Sequence, residues 1–279
     1  MALILDPGEC VTRVETCSVA AVRRVAAMLD LDPDGIAEGD PLPRGWQFIL
    51  LGADTRRSAL RADGFPGLGV PIPDMGLPRL LLGGRTVSYQ QDIPIGAMLK
   101  RTSSVKTLTR KNTDSGPMAI VTILHELRLT DNATPAIVET QTYLLLSPRS
   151  EIAKDDSAAL LPPVAAEHTM TVVPDETLLF QYSALGFNSH KIHIDKAYAR
   201  DVEGFADLVV NGGLATLLLT EFLRRDIGVV PAALKVRHVA PLLRSRPMTL
   251  AANRAAASWH LKAFDDRNRV AVEMEAEVI

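Results

Sequence analysis

Helical and strand-like hydrophobic spacings alternate along the chain, and the same succession occurs in both halves. In "CSVAAVRRVAAMLD" (17–30), Val19, Val22, Val25, Ala26 and Leu29 recur at helical intervals, which predicts a helix with one apolar face. "RGWQFILLG" (44–52) reads as a short second helix. From about 54 to 78, ending in "ADGFPGLGVPIPDMGLP", glycine and proline are too dense for a long helix or a central strand. Four runs rich in β-branched residues follow: "LLLGGRTVSYQQD", "GAMLKRTSSVKTLTRKN", "GPMAIVTILHELRL" and "AIVETQTYLLL". They predict long antiparallel strands, with "NTDSG" (112–116) as the turn between the middle two.

The second half opens with "HTMTVVP" as a strand, then "DETLLFQYSAL", where Asp175 is a helix cap and Leu178, Leu179, Tyr182 and Leu185 are the apolar positions. A brief helix is expected in "DKAYARDV", followed by "NGGLATLLLTEFLRRD" (211–226), which is apolar nearly all round and therefore buried. "ALKVRHVAPLL", "PMTLAANRAAA", "SWHLKAFDD" and "RVAVEMEAEV" return to strands. The expected class is α+β, a central helix wrapped by a curved antiparallel sheet, made twice. Residues 1–147 form one repeat and 168–279 the other, and 148–167, mixing proline, serine and charge, connect them.

Composition narrows the function. A chain of 279 residues, 47% hydrophobic, is long enough for one large domain or two of ordinary size. Its net charge of −3 excludes a typical nucleic-acid binder. The most apolar runs stop far short of the roughly twenty residues that a membrane span requires. "MALILDPGEC" has no basic leader region, so a cytoplasmic protein is expected. Cys10 and Cys17 lack any metal-cluster spacing and read as buried thiols. Between 79 and 112, seven basic residues, including Arg79, Arg85, Lys106, Arg110 and Lys111, face the single acid Asp92. That excess suits a phosphate-bearing ligand as well as solvated strand faces.

Chemistry concentrates in "FNSHKIHID" (187–195), where two of the six histidines stand three apart in a loop behind a helix. A metal site would need further ligands beyond His190, His193 and Asp195, and no other His/Cys cluster supplies them. Hydrogen-bonded histidines in a polar loop and an acid–base pocket are the remaining readings. The helix that follows starts with two glycines, leaving its first N–H groups open to a developing negative charge. Gly213, Thr216 and Thr220 form a stripe of small and polar groups along it, readable as a polar ligand's path or as close packing with threonines bonded to backbone carbonyls.

The order "YSALGFNSHKIHIDKAYARDVEGFADLVVNGGLATLLL" resembles the hydratase motif of the MaoC-like, R-specific enoyl-thioester hydratases and 3-hydroxyacyl-thioester dehydratases. It is most similar to the branch with mesaconyl-CoA and itaconyl-CoA hydratases, and the first half, from "GDPLPRGWQFIL" to "SGP", fits that branch too. The resemblance implies a double hot-dog fold in which the C-terminal repeat carries catalysis and the N-terminal repeat shapes an acyl and CoA tunnel. It places the catalytic histidine on His193, a water-orienting residue on Asn188 where the wider family has Asp, the carbonyl-polarising amide on Gly212, and a helix hydroxyl on Thr220. The expected substrate-contacting set is His190, Asn211, Gly213, Thr216, Thr220 and Tyr182, with the carrier's phosphates on Lys106, Arg110 and Lys111. Asn211 stands where the family has His. The implied reaction is hydration or dehydration of a short or branched enoyl-CoA, with no cofactor beyond the CoA or phosphopantetheine of the substrate and no metal. An acyl-CoA or acyl-carrier thioester is the expected partner, and a homodimer the expected assembly. A relative recruited to carrier-bound polyketides and a silent thioester-binding subunit are the alternatives.

Overall fold

Residues 10–114, 116–148 and 159–278 are described by the computed structural model. Their strands join in one ten-stranded sheet. The first half supplies β1 (Cys10–Thr16), β2 (Arg79–Tyr89), β3 (Met98–Thr113), β4 (Gly116–Leu129) and β5 (Ile137–Leu146). The second supplies β6 (His168–Val172), β7 (Pro231–His238), β8 (Met248–Ala255), β9 (Ser258–Phe264) and β10 (Val270–Val278). Between them run helices α1 (Val19–Met28), α2 (Glu176–Leu185), α3 (Lys196–Asp201) and α4 (Gly212–Glu221). Across the sheet the order is β1-β3-β4-β5-β2-β7-β10-β9-β8-β6, so the second half repeats the first in mirror sequence about the β2–β7 seam. The seam is antiparallel, from Gly84 opposite Arg237 to Ser88 opposite Ala233. Gly84 permits this approach, since a Cβ there would lie 2.5 Å from the Val236 carbonyl oxygen.

Helix α4 is the centre of the core. Its residues Leu214 to Glu221 are all buried, among them Leu214, Leu217 and Leu219 at 1% exposure or less. A helix apolar on all sides is stable only when enclosed, and the sheet supplies that enclosure. Glu221, the one charge in this run, accepts from Trp46 Nε1 at 2.8 Å and from Arg224 at 2.6 Å and 3.0 Å. Helix α1 is capped by Ser18, whose Oγ accepts from Ala21 N, and buries Val22, Val25 and Ala26, as the spacing predicted.

Two sequence expectations are corrected. In place of a helix over 44–52 there is a 3₁₀ turn, Trp46–Leu50, entered through Gly45 at φ +102. Gly45 backs onto Thr220, whose Cγ2 would be 2.9 Å from a Cβ there. By order of elements this turn stands where α4 stands in the second half, so the first half's central helix is reduced to about one turn. Cys10 is exposed at the start of edge strand β1, which no alternating pattern announced; Cys17 alone is buried. The connection 148–167 falls between β5 and β6, but its residues 149–158, like Ser115 of the "NTDSG" turn, lie outside the described residues. Among the described residues no helix is long and apolar enough to cross a membrane.

Candidate functional site

Asp175 Oδ1 accepts from Leu178 N and starts α2; the chain leaves that helix through Phe187 at φ +48. Asn188 then turns the loop: its N–H donates to Ser183 O, and its Oδ1 accepts from His190 N at 3.0 Å. A 3₁₀ turn over Lys191–His193 follows. The Gly/Pro-rich segment of the first half clamps this loop from outside. Lys191 N donates to Asp63 O at 2.8 Å, Ser189 Oγ to Gly64 O at 2.7 Å and Lys191 Nζ to Ala62 O at 2.7 Å. Gly64 is at φ +77, and a Cβ on it would lie 2.5 Å from Ser189 O. Gly64→Ala is therefore expected to destabilise the protein by roughly 1–3 kcal/mol and to loosen this loop; urea unfolding and turnover of the purified variant check both.

The loop, the start of α4 and strands β2, β5 and β7 enclose a cavity of about 260 Å³. Leu80, Leu81, Leu144, Ile192, Val209 and Leu242 supply its apolar walls, and the exposed segment Val239–Pro241 forms its open edge. Into it face Asn188, His190, His193, Asn211, Gly212 and Gly213, together with Arg85, Tyr143, Tyr182 and His238. Buried polar side chains normally find partners. Here four of the five buried side-chain polar atoms without a hydrogen-bond partner among the described residues belong to this wall: Arg85 Nε, His190 Nε2, Asn211 Oδ1 and His238 Nε2. A small, mostly apolar cavity with convergent unpaired polar groups is the form a ligand site takes.

His193 Nδ1 lies 2.8 Å from Val209 O. A carbonyl only accepts, so the proton sits on Nδ1 and Nε2 keeps its lone pair. Burial, and next the neighbouring His190, push its pKa from 6.5 down to about 3, opposed by the Val209 bond. His190, edge-on to the His193 ring at 5.5 Å, is lowered to about 4 by burial and Arg61; its Nε2 is 3.8 Å from Asp63 Oδ2, beyond hydrogen-bond reach. His238, packed on Gly212 so that its Cε1 would be 3.1 Å from a Cβ there, is lowered to about 3 by burial and Arg85. His125, whose Nδ1 shares a 2.8 Å hydrogen bond with Ser103 Oγ, is lowered to about 4 by burial.

These depressed values make a stability prediction. Each histidine takes a proton near 6.5 when unfolded but refuses it while folded. The unfolded state thus binds more protons below pH 6.5, and stability falls as pH drops from there toward about 4. The slope is up to ~1.4 kcal/mol per histidine per pH unit. Melting temperature against pH should be level from 8 to 7 and fall steeply below 6, less steeply in His125→Asn.

Not every expected site residue lies in the cavity. Thr216 Oγ1 donates to Gly212 O at 3.1 Å and Thr220 Oγ1 to Thr216 O at 2.9 Å, and neither lines the cavity. The stripe is thus helix packing, with Thr220 set against Gly45. Tyr182 does face the cavity, its hydroxyl against Gly213 and its ring stacked on Phe48 at 4.5 Å. Asp195 caps α3, accepting from Tyr198 N at 3.0 Å. Asn211 makes no capping bond, its Nδ2 donating to Ser183 Oγ at 3.2 Å. Lys106, Arg110 and Lys111 are exposed on β3 and outside the lining. No group of three or more His, Cys, Asp or Glu among the described residues is placed to hold a metal ion.

Sequence reasoning missed His238 and Tyr143, and noted Arg85 only as one of a basic run. Arg85 is 9% exposed, its Nη1 3.3 Å from Glu139 Oε1. Glu139 also accepts from Gln47 Nε2 at 3.0 Å and Gln141 Nε2 at 2.7 Å. The available signal was register: Arg85, Val87 and Tyr89 alternate on one face of β2, as Glu139, Gln141 and Tyr143 do on β5.

Comparison with known proteins identifies the family and the fold. The hydroxyacyl-thioester dehydratase type 2 family matches residues 45–244, the span holding the clamp segment, the histidine loop and α4. Mesaconyl-C(4)-CoA hydratase of Chloroflexus aurantiacus is 33% identical over 236 residues, 84% of this chain and 83% of that protein. Among solved structures, HtdX of Mycobacterium tuberculosis superposes with a TM-score of 0.67 at 17% identity, covering 97% of this chain and all of the other. A MaoC-like dehydratase from Phytophthora capsici gives 0.69 at 13%, covering 98% and 96%. These neighbours make the fold a MaoC-like double hot dog, and the chain belongs to the hydroxyacyl-thioester dehydratase type 2 family of hydro-lyases.

Proposed function

We propose that the chain adds water to, or removes it from, the C2=C3 bond of a short or branched enoyl-CoA, with His193 as the acid–base group and the Gly212 amide as the acceptor of charge on the thioester oxygen. The observation that carries this is the juxtaposition of a neutral imidazole, its Nε2 lone pair left by the Nδ1 bond to Val209 O, with the glycine-led amino end of α4 in one cavity. In hydration, Nε2 takes a proton from water as the oxygen bonds to C3. The displaced electron pair moves toward the thioester oxygen, where an N–H and the helix dipole stabilise it. The imidazolium then returns a proton to C2, so one water is added in total. Asn188, with its Oδ1 occupied by His190 N, has its amide nitrogen left to orient that water. Loss of the ultraviolet absorbance of the conjugated thioester in crotonyl-CoA, followed with purified protein, tests the reaction; an unchanged band with both crotonyl-CoA and mesaconyl-CoA would identify a silent binding subunit.

The carrier's phosphates fit the end of β3. Arg110 is in register with Ala119, Leu145 and Leu80 across four neighbouring strands, which sets it roughly 14 Å from the Leu80 wall of the cavity. Lys111 is in the adjacent row with Arg79, whereas Lys106 sits at a bulge further from the mouth. Arg110→Gln with Lys111→Gln is expected to raise KM for the CoA thioester about tenfold at low salt and to flatten its salt dependence; initial rates at two ionic strengths measure it.

A further inference from the structure

Tyr182 faces the cavity but has no part in the mechanism above. A Cβ on Gly213 would collide with its hydroxyl, and the Arg85 guanidinium closes on the same point, with Nη2 3.3 Å away. A helix Cβ tilts toward the amino end. The hydroxyl therefore stands on the side of Gly213 from which the first N–H groups of α4 are approached, and only a glycine there lets it in. The ring is fixed by its stack on Phe48, with centroids 4.5 Å apart. Tyr143, the other phenol of the wall, gives its proton to Gln141 Oε1, whereas Tyr182 has no hydrogen-bonded acceptor among the described residues. Burial pushes the Tyr182 pKa up, with Arg85 opposing, so the proton stays on the oxygen. An unspent O–H donor is thus held beside a helix amino end. Arg85 lines the cavity next to it, while its partner Glu139, with Oε1 3.3 Å from Nη1, lies behind the lining. A permanent cation and a helix dipole at one end of the cavity favour a ligand atom that gathers negative charge there.

We propose that Tyr182 is a further catalytic residue, its hydroxyl donating a second hydrogen bond to the thioester oxygen beside the Gly212 N–H. It rests on the hydratase reading, because that reading places the thioester oxygen at Gly212. No proton is transferred. The O–H bond to the oxygen strengthens as the electron pair displaced from C2=C3 arrives there, and it is already in place when the charge develops. The Arg85 cation behind the phenol makes it a better donor.

Tyr182→Phe removes the oxygen and keeps the ring on Phe48. Its kcat on crotonyl-CoA is expected to fall about 10²–10³-fold, the loss that follows removal of one such donor. Butyryl-CoA is saturated and cannot be hydrated, so calorimetric titration with it reports binding alone. Its affinity should change by less than about tenfold, because a neutral carbonyl gains little from one hydrogen bond. A second reading needs no turnover. The ultraviolet band of 2,4-hexadienoyl-CoA moves to longer wavelength when hydrogen bonds draw electron density onto its carbonyl oxygen. The band is recorded with the thioester bound to the wild type and to His193→Ala, each with and without Tyr182→Phe, and the red shift should be smaller wherever the hydroxyl is missing. A kcat within about threefold of the wild type would overturn the proposal. So would an equal loss of kcat and of butyryl-CoA affinity, which assigns the hydroxyl to general binding or to the fold, and so would a red shift that is absent or that the variant retains in full. If the wild type does not hydrate crotonyl-CoA, the hydratase reading fails, and the spectral comparison still decides whether the hydroxyl meets the thioester oxygen.

Discussion

His193→Ala is expected to lower kcat by roughly 10²–10⁴ while the protein remains folded, because a positioned acid–base group contributes about that much. Asn188 has no proton to exchange, so no neighbour on the loop replaces the imidazole. The pH profile carries a second signature. A base works when neutral, and the His193 pKa is pushed from 6.5 to about 3 by burial and His190. In the free enzyme the acid limb of kcat/KM should therefore lie well below the ordinary histidine range, leaving the profile level from pH 7 through 6. Near-normal turnover in the variant would rule His193 out as the acid–base group; a wild-type acid limb at 6.5 that the variant abolishes would keep that role and overturn the depressed pKa.

Glu139→Ala should produce the largest loss of stability. The carboxylate is 1% exposed and is shared by Arg85, Gln47 and Gln141. Its removal strands a permanent positive charge and two amide donors where water cannot reach them. Breaking a buried pair in this way costs about 3–5 kcal/mol. For a chain of this size that lowers the melting temperature by roughly 10 °C. Replacing both charges, as in Arg85→Met with Glu139→Leu, should recover most of the loss, since the desolvation of both ions disappears together. Thermal melts of the wild type, the single and the double variant give the answer directly; a single variant as stable as the wild type would show that the pair contributes nothing.

Much of the architecture was legible because it follows from period. Nine of the ten strands were legible as extended runs, the first-half ones rich in β-branched residues, α1 and α2 by apolar positions near four apart, and α4 by having almost no polar face. What escaped has physical reasons. β1 is an exposed edge strand, "CVTRVET", with no apolar face to betray it. Trp46–Leu50 is as apolar as a helix, but Gly45 and the packing against α4 leave room for one 3₁₀ turn. In the site, residues close in sequence were found: His190, His193, Asn188 and Gly212 line one cavity, as the loop and helix start suggested. Arg85, Tyr143 and His238 come from three other strands, and only tertiary pairing across β2–β5 and β2–β7 brings them there. Thr216 and Thr220 misled because a hydroxyl on a buried helix has a backbone carbonyl one turn away to bond.

The seam between β2 and β7 joins parts of one polypeptide. Whatever is altered on one side is not copied to the other, as it would be if two identical chains met there. The two halves have used that freedom: β5 turns Glu139, Gln141 and Tyr143 inward, while the buried positions of β10 are Ala271, Val272, Met274 and Ala276. One flank is thus free to diverge in its inward side chains while the other keeps the loop and helix. Dilution cannot part them, so the cavity between them is a property of the single molecule at any concentration.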